Sequence, residues 1–246
     1  MTATPATLKQ RLGRAIYARL PITRFLFDQL RVEANALLAA TVNRLSPAAR
    51  RRLRTLRGER GLLVNVACGP QVLPGFVNLD LHVKLPGVVR WDCRRRLPVG
   101  DGAAEGIRAE QFVEHLETQE ELPAFLADCR RALAVGGVLR IIVPDAGRFL
   151  AAYCRSAGGD LSGFRELAVP EPFPSDLPTR MDVVNHIFHQ WQEHRWGYDA
   201  ETLTHRLRTA GFERIEVQGF GRSLEPRLAV DRDVHAPYSL YVDAVR

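Results

Sequence analysis

The residues with the clearest chemical potential lie between Leu62 and Leu81. An apolar run, Leu62 to Val66, stops at three small residues, Ala67, Cys68 and Gly69. A second apolar run, Phe76 to Leu79, stops at an acid, Asp80. Small residues leave backbone N–H groups open to a ligand, because no bulky side chain stands in the way. A carboxylate at the end of the next strand can accept hydrogen bonds from two neighbouring hydroxyls of a ribose. If the sheet is parallel, both features fall at its carboxyl end, where such sheets bind ligands. The same residues also suit a plainer arrangement, in which two buried strands share a tight turn and Asp80 caps a helix.

The elements that must position these residues follow from periodicity. Leu8, Leu12, Ile16 and Leu20 form one helical stripe, which Pro21 ends. A longer helix is expected from about Ile22 to Leu45. Ser46-Pro47 is an N-cap followed by a first-turn proline, and it opens a strongly basic helix through Arg50, Arg51, Arg52, Arg54 and Arg57. Gly58 and Gly61 end that helix, so residues 1–57 form a basic helical extension and residues 58–246 a second unit. There the pattern becomes α/β. Val88 to Trp91 is a third strand ending at Asp92, and Glu105 to Ala109 a fourth. Leu122, Phe125, Leu126, Cys129 and Leu133 face one side of a helix stopped by Gly136-Gly137. Val138 to Val143 is a strand buried on both faces, ending at Pro144-Asp145. Residues 146–198 interrupt the alternation and read as a lid-like insertion, with a helix from about Met181 to His194. A helix capped by Asp199 and two strands, Arg214 to Gln218 and Ser239 to Ala244, close the chain.

The connection between the first two strands is too short for a crossover helix. One sheet face therefore lacks its usual cover, and the N-terminal helices are expected to supply it. Their arginines would then point outward.

Composition narrows the setting. The 246 residues fit one α/β domain with an appendage, 46% hydrophobic and 25% charged. No apolar run reaches the roughly 20 residues that span a bilayer, and no signal peptide is evident. A cytoplasmic protein is expected. Cys68, Cys93, Cys129 and Cys154 are scattered, so neither a disulfide framework nor a metal site is expected. The net charge of +6 is concentrated in residues 1–60, where the acids are Asp28, Glu33 and Glu59. That asymmetry points to an anionic partner, such as the inner membrane surface. Nucleic acid is disfavoured, because the basic segment carries few interleaved aromatics and no RNA-binding module.

Taken in order, several blocks resemble class I S-adenosylmethionine-dependent methyltransferases, in particular the branch associated with bacterial cell-surface polysaccharides. They are Val-Asn-Val-Ala-Cys-Gly, Pro-Gly-Phe-Val-Asn-Leu-Asp, Gln-Phe-Val-Glu-His-Leu, Arg-Ala-Leu-Ala-Val-Gly-Gly-Val-Leu-Arg-Ile-Ile-Val-Pro-Asp and Thr-Ala-Gly-Phe. The resemblance covers Leu62 to the C-terminus. It implies a Rossmann-like seven-stranded sheet of order 3-2-1-4-5-7-6 with the last strand antiparallel. It also implies a cofactor, S-adenosylmethionine. Ala67, Cys68 and Gly69 would face its methionine part, and Asp80 its ribose hydroxyls. Asp92 would take its adenine amino group, with Cys93 beside the ring. Gln111 would lie near the sulfonium, with Glu114 and His115 beginning the next helix.

Two positions depart from the family pattern. Asn65 replaces an acid, and so cannot offset the cofactor's positive charge. Ala67 replaces a glycine, which is tolerable at negative φ. These changes keep open a second reading, a degenerate methyltransferase fold acting as a non-catalytic binding or scaffolding subunit. In the enzyme reading the acceptor is a glycan or glycolipid hydroxyl, which needs a general base. His194 is the leading candidate, followed by His115. Asp145 would orient the acceptor, or else cap a loop. His186 and His189 share a helix face but lack an acidic third ligand. Trp191 and Trp196 offer an apolar platform, or core packing.

Overall fold

The computed structural model of the chain describes residues 21–156, 158, 161–167, 177 and 179–246, without the side chains of Arg24, Arg165 and Trp191. The stripe from Leu8 to Leu20 lies outside the described residues. Seven strands form one sheet: β1 (Leu62–Val66), β2 (Phe76–Asp80), β3 (Val88–Arg90), β4 (Ala104–Glu110), β5 (Leu133–Pro144), β6 (Arg214–Gln218) and β7 (Ser239–Val245). Their order is β3-β2-β1-β4-β5-β7-β6, as expected. Pairing is parallel from β3 to β5, and β7 runs antiparallel to both β5 and β6.

Two boundaries differ from the sequence reading. Helix α3 (Glu121–Ala132) ends before Gly136-Gly137 rather than at it, and β5 begins at Leu133. Gly136 N donates to Arg246 O at 2.9 Å and Arg246 N donates to Gly137 O at 3.0 Å. The glycines thus lengthen the pairing with the end of β7 instead of stopping a helix. In the insertion, α4 (Ala146–Arg155) is followed by α5 (Arg180–His189), where Thr179 and Asp182 form a capping box. Gln190 takes φ 32° and ends α5, so His194 lies beyond the helix rather than on it.

The two faces of the sheet are unlike. Val64, Val66, Leu79, Ile107, Ala109, Leu139 and Ile141 point to one face. Helix α2 (Pro47–Gly58) buries Leu53 and Leu56 there, beside Phe125 and Leu126 of α3 and Leu203 and Leu207 of α6 (Ala200–Thr209). The alternate residues point to the other face. Leu63 and Val138 meet Leu228 of the β6–β7 connection. The face left bare by the short connections is therefore covered by that connection, and not, among the described residues, by the N-terminal helices as expected. Right-handed crossovers from β1 to β2 and from β4 to β5 run in opposite directions, so their faces are opposite. Because α2 shares its face with α3, it cannot cover the bare one. Gly106 makes the cover close: a Cβ there would lie 2.9 Å from Leu228 Cδ2.

The covered face carries a polar row. Asn78, Asn65, Arg108, Arg140, Asp243 and Glu216 are successive register partners across six strands. Arg140, fully buried, donates to Asp231 through Nε (3.1 Å) and Nη2 (2.6 Å), and to Asp243 Oδ1 through Nη1 (2.9 Å). A buried cation is tolerable only when paired in this way.

Helix α1 (Arg24–Leu45) opens on Thr23, whose hydroxyl accepts from Leu26 N. It crosses the carboxyl end of the sheet. Ala36 and Ala39 pack on Leu81. Asn43 Nδ2 donates to Arg90 O at 2.9 Å, and Arg94 Nη1 donates to Glu33 Oε1 at 2.6 Å. Arg195 Nη2 donates to Gln29 Oε1 at 3.1 Å.

Candidate functional site

The first turn holds a left-handed backbone. Ala67 has φ 48° and Gly69 φ 52°. Ala67 therefore does not meet the negative-φ condition under which its methyl is unstrained. Gly69 faces open space, since nothing lies within 4 Å of where its Cβ would sit. Asn65 is buried beneath the turn. Its Nδ2 donates to Gln71 O (2.9 Å) and Asn78 Oδ1 (3.0 Å), while its Oδ1 has no partner.

Asp80 ties the first turn to the second. Its Oδ2 accepts from Gly69 N (2.9 Å), and its Oδ1 from His82 N (2.7 Å) and Val83 N (2.8 Å). A carboxylate offers about four acceptor directions, so room remains for one ribose hydroxyl rather than two. Asp92 is similarly engaged: Arg94 donates to it from N, Nε and Nη2 at 2.9–3.1 Å. Cys93 is buried nearby, and burial pushes its thiol far up. Burial, then Asp80, pushes the Cys68 thiol to about 11. Both stay protonated at neutral pH and are poor nucleophiles.

At the end of β4, Gln111 also takes a left-handed backbone, φ 50°. Its N donates to Ile142 O and its Nε2 to Ser239 Oγ at 3.3 Å. Between the ends of β1 and β4 lies a cavity of about 180 Å³, bordered by Asn65, Ala67, Gly69, Glu110, Gln111 and His235. Small-molecule pockets usually enclose roughly 300–1,000 Å³. A larger open groove, about 630 Å³, runs along α2 away from the strand ends.

Sequence reasoning missed the wall of this cavity. Arg108 Nη2 donates to Glu110 Oε2 at 2.7 Å, and His235 Nδ1 lies 2.8 Å from Glu110 Oε1. Burial raises the Glu110 carboxyl, but His235 and Arg108 outweigh it and hold it below its ordinary value. Arg108 stands between Ile107 and Ala109 in β4, which was the one available signal. His235 comes from a distant loop, and no local spacing marks it.

The proposed bases meet further along. Glu114 and His115 form a single 3-10 turn (Val113–His115) and do not begin a helix, since α3 starts at Glu121. Arg195 N and Trp196 N both donate to Glu114 O, docking the segment after α5 onto this turn. That brings His194 against His115, ring centroids 4.9 Å apart and edge to face. Burial, then His115, lowers the His194 imidazole to about 4, and burial lowers His115. Both rings are neutral at pH 7. Glu114 is fully buried with neither oxygen hydrogen-bonded, and burial raises its carboxyl to about 8. Asp145 is not one of the three ligand-bearing residues but caps α4, and its backbone bridges to Tyr198 of the docked segment. Its Oδ1 accepts from Arg148 N at 3.3 Å, and its Oδ2 lies 3.4 Å from Arg148 Nε. Burial raises its carboxyl. Trp196 is 43% exposed, and His186 and His189 join no metal-binding group among the described residues.

The strand order and the antiparallel β7 define a Rossmann-like fold of the methyltransferase type. No protein-family model matches the chain, and no curated protein matches it. Solved structures do match its shape. A SAM-dependent methyltransferase from Archaeoglobus fulgidus is 16% identical, with 91% of this chain and 100% of that one covered at a TM-score of 0.46. The 1,6-didemethyltoxoflavin-N1-methyltransferase of Burkholderia thailandensis, with bound 1,6-didemethyltoxoflavin and S-adenosylhomocysteine, is 13% identical over 92% of each chain, TM-score 0.46. A possible histamine N-methyltransferase from Thermotoga maritima is 14% identical, with 90% and 96% covered, TM-score 0.45.

Proposed function

We propose that the chain is an S-adenosylmethionine-dependent methyltransferase acting on a hydroxyl of a glycan or glycolipid precursor. The observation that carries this reading is the sheet order with two left-handed strand ends, at Ala67 and Gln111, facing one cavity. Strained backbone of this kind clusters at ligand sites. The residues fit the cofactor. Open space in front of Gly69 admits its amino-acid end, and the unpartnered Asn65 Oδ1 offers an acceptor beneath the turn. Asp80 keeps one acceptor direction for a ribose hydroxyl. When bound, the cofactor supplies an electrophilic methyl group. The chain's part is to align the acceptor with that methyl, which removes much of the barrier to an in-line displacement. His194 and His115, neutral with one ring nitrogen each still available, serve the acceptor's proton.

One observation favours the scaffold reading. Asp80 and Asp92 are largely satisfied by the protein itself, and the cavity is small. Calorimetry with S-adenosylmethionine and S-adenosylhomocysteine separates the two. Stoichiometric binding supports the enzyme, and no binding at millimolar cofactor supports the scaffold.

We also propose that an anionic membrane surface is where the protein works. The support is a paired surface. Helix α1 exposes Leu26, Leu30, Leu37, Leu38, Val42 and Leu45, with Leu37 71% and Leu45 69% exposed. Next to it, α2 exposes Arg50, Arg51 and Arg54, none paired with a carboxylate among the described residues. Apolar side chains beside unpaired arginines match the interface of an anionic bilayer. Among the described residues no helix is long and apolar enough to cross a membrane.

A further inference from the structure

The group around Glu114 has a use that proton transfer alone does not explain. Glu114 is 1% exposed, and neither oxygen of its carboxyl group meets a hydrogen-bond donor. Leaving a buried polar group unpaired forfeits its hydration with nothing in return. Something not belonging to the chain would relieve that cost. Two imidazoles lie beside Glu114. His115 Nδ1 lies 3.0 Å from Glu193 O, and His194 Nδ1 lies 2.6 Å from Ile187 O. A carbonyl only accepts, so each Nδ1 carries the hydrogen, and each Nε2 keeps a lone pair. One ligand atom from each of the three residues falls within 4.8 Å of the other two.

We propose that Glu114, His115 and His194 bind a divalent first-row transition cation, such as Zn²⁺. Two neutral imidazoles and one carboxylate form the donor set of open catalytic zinc sites, with a position left for a fourth ligand; the Glu114 carboxyl, held protonated by burial, would release its proton as the cation binds. Imidazole nitrogen selects against Mg²⁺ and Ca²⁺, which take oxygen. Both rings are oriented from behind by backbone carbonyls, the outer-shell contact that fixes a metal-binding histidine's tautomer. The site is also built by the fold. The amides of Arg195 and Trp196 lock onto Glu114 O, which sets His194 opposite His115. Tyr198 Oη is a further buried atom without a partner, on the same docked segment. The cation's role rests on the methyltransferase reading. With the ring lone pairs on the cation, the histidines would no longer take the acceptor's proton themselves; a Lewis acid at the open position would bind the acceptor hydroxyl and lower its pKa, and the released proton would pass to solvent. The cation site itself does not depend on that reading.

The test uses the full chain, stripped with chelator and dialysed. Elemental analysis after titration with Zn²⁺, and calorimetry of the same titration, are expected to give one tightly bound ion per chain. Substitution with Co²⁺ should give a visible spectrum of nitrogen ligation. Glu114→Gln keeps the shape of the side chain and should lower Zn²⁺ affinity more than about 100-fold, beyond what outer-shell losses cost. His194→Asn should do the same with an unchanged circular dichroism spectrum. His189→Ala, outside the group, should bind like the wild type. Absence of a stoichiometric ion in the wild type overturns the site, as does equal binding by Glu114→Gln. Cofactor binding without Zn²⁺ binding would remove the site and leave the methyltransferase reading intact. Zn²⁺ binding without cofactor binding would do the reverse.

Discussion

Ala67 and Gln111, which follow the ends of neighbouring strands β1 and β4, both hold left-handed backbone, at φ 48° and φ 50°. Neither is a glycine, and each costs roughly 1–2 kcal/mol relative to a right-handed residue. Replacing Ala67 by glycine removes its share, offset in part by the roughly 0.5–1 kcal/mol that glycine loses through greater freedom in the unfolded chain. The expected outcome is a small gain in stability, up to about 1 kcal/mol, with cofactor affinity held or improved. Urea denaturation and calorimetry read both. A destabilised Ala67→Gly would mean that the methyl makes a contact worth more than the strain.

Asp80 serves two ends at once, and its variants separate them. Asp80→Ala removes three acceptor contacts to Gly69, His82 and Val83 along with any ribose contact. Each charge-assisted bond is worth about 1.5–3 kcal/mol. The variant should therefore lose both thermal stability and at least tenfold in cofactor affinity. Asp80→Asn keeps an acceptor for His82 and Val83 but not for Gly69, so its stability should fall less. Unchanged cofactor affinity in both variants would remove Asp80 from the site.

The face cover can be tested at Gly106. Gly106→Ala places a methyl 2.9 Å from Leu228, and overpacking of this kind costs about 1–3 kcal/mol. Leu228→Ala on its own should also destabilise the fold. Together the two changes should cost less than their sum, because the second makes room for the first. Denaturation midpoints of the four proteins in this cycle give the coupling. Additive losses would contradict the close approach.

Across the same face, Arg140 is held by Asp231 and Asp243 with no exposure on any of the three side chains. Asp231→Ala leaves a buried cation half paired, which should cost about 3–5 kcal/mol. Because Asp231 Oδ2 also accepts from Gly221 N at 2.8 Å, the β6–β7 connection should loosen with it. Amide exchange over residues 219–238 would then rise before global unfolding, and a uniform rise would instead place the loss in the whole core.

These tests fall where the sequence is least legible. The strand order could be read because Leu62 to Val66, Phe76 to Leu79 and Val138 to Val143 carry their own punctuation. The polar row could not. Arg108 and Arg140 have no visible partners until the register sets them side by side under a loop that begins beyond residue 218. Asp80 was legible as a strand-end acid, but its backbone partners depend on how the loop after it folds. His194 and His115 were each visible as histidines. Their meeting depends on Gln190 breaking α5 and on two amides docking at Glu114, neither of which leaves a periodic trace. Arg52 is exposed, as expected for the arginines of α2, but it also donates to Gly87 O and Val88 O and so anchors the helix to β3, which the sequence did not show.

That anchor decides how the membrane proposal is tested. Reversing Arg52 would disturb the docking of α2, so the informative variant is the triple change Arg50→Glu, Arg51→Glu, Arg54→Glu. All three side chains are exposed, and folding should be unaffected. Each arginine near an anionic surface is worth about 1 kcal/mol, and the attraction fades within a Debye length. Co-sedimentation with vesicles containing phosphatidylserine should therefore fall by two to three orders of magnitude in binding constant at low salt, and the wild type should itself release at high salt. A second variant, Leu37→Gln with Leu45→Gln, removes apolar contact while leaving charge intact, and should weaken binding at every salt concentration. If both variants sediment like the wild type, the membrane surface is not the occupant. The apolar face of α1 would then have another cover. A dimer in light scattering that Leu37→Gln with Leu45→Gln dissociates would identify a second copy. A monomer in which that same variant exposes residues 1–20 to protease would identify the chain's own first segment.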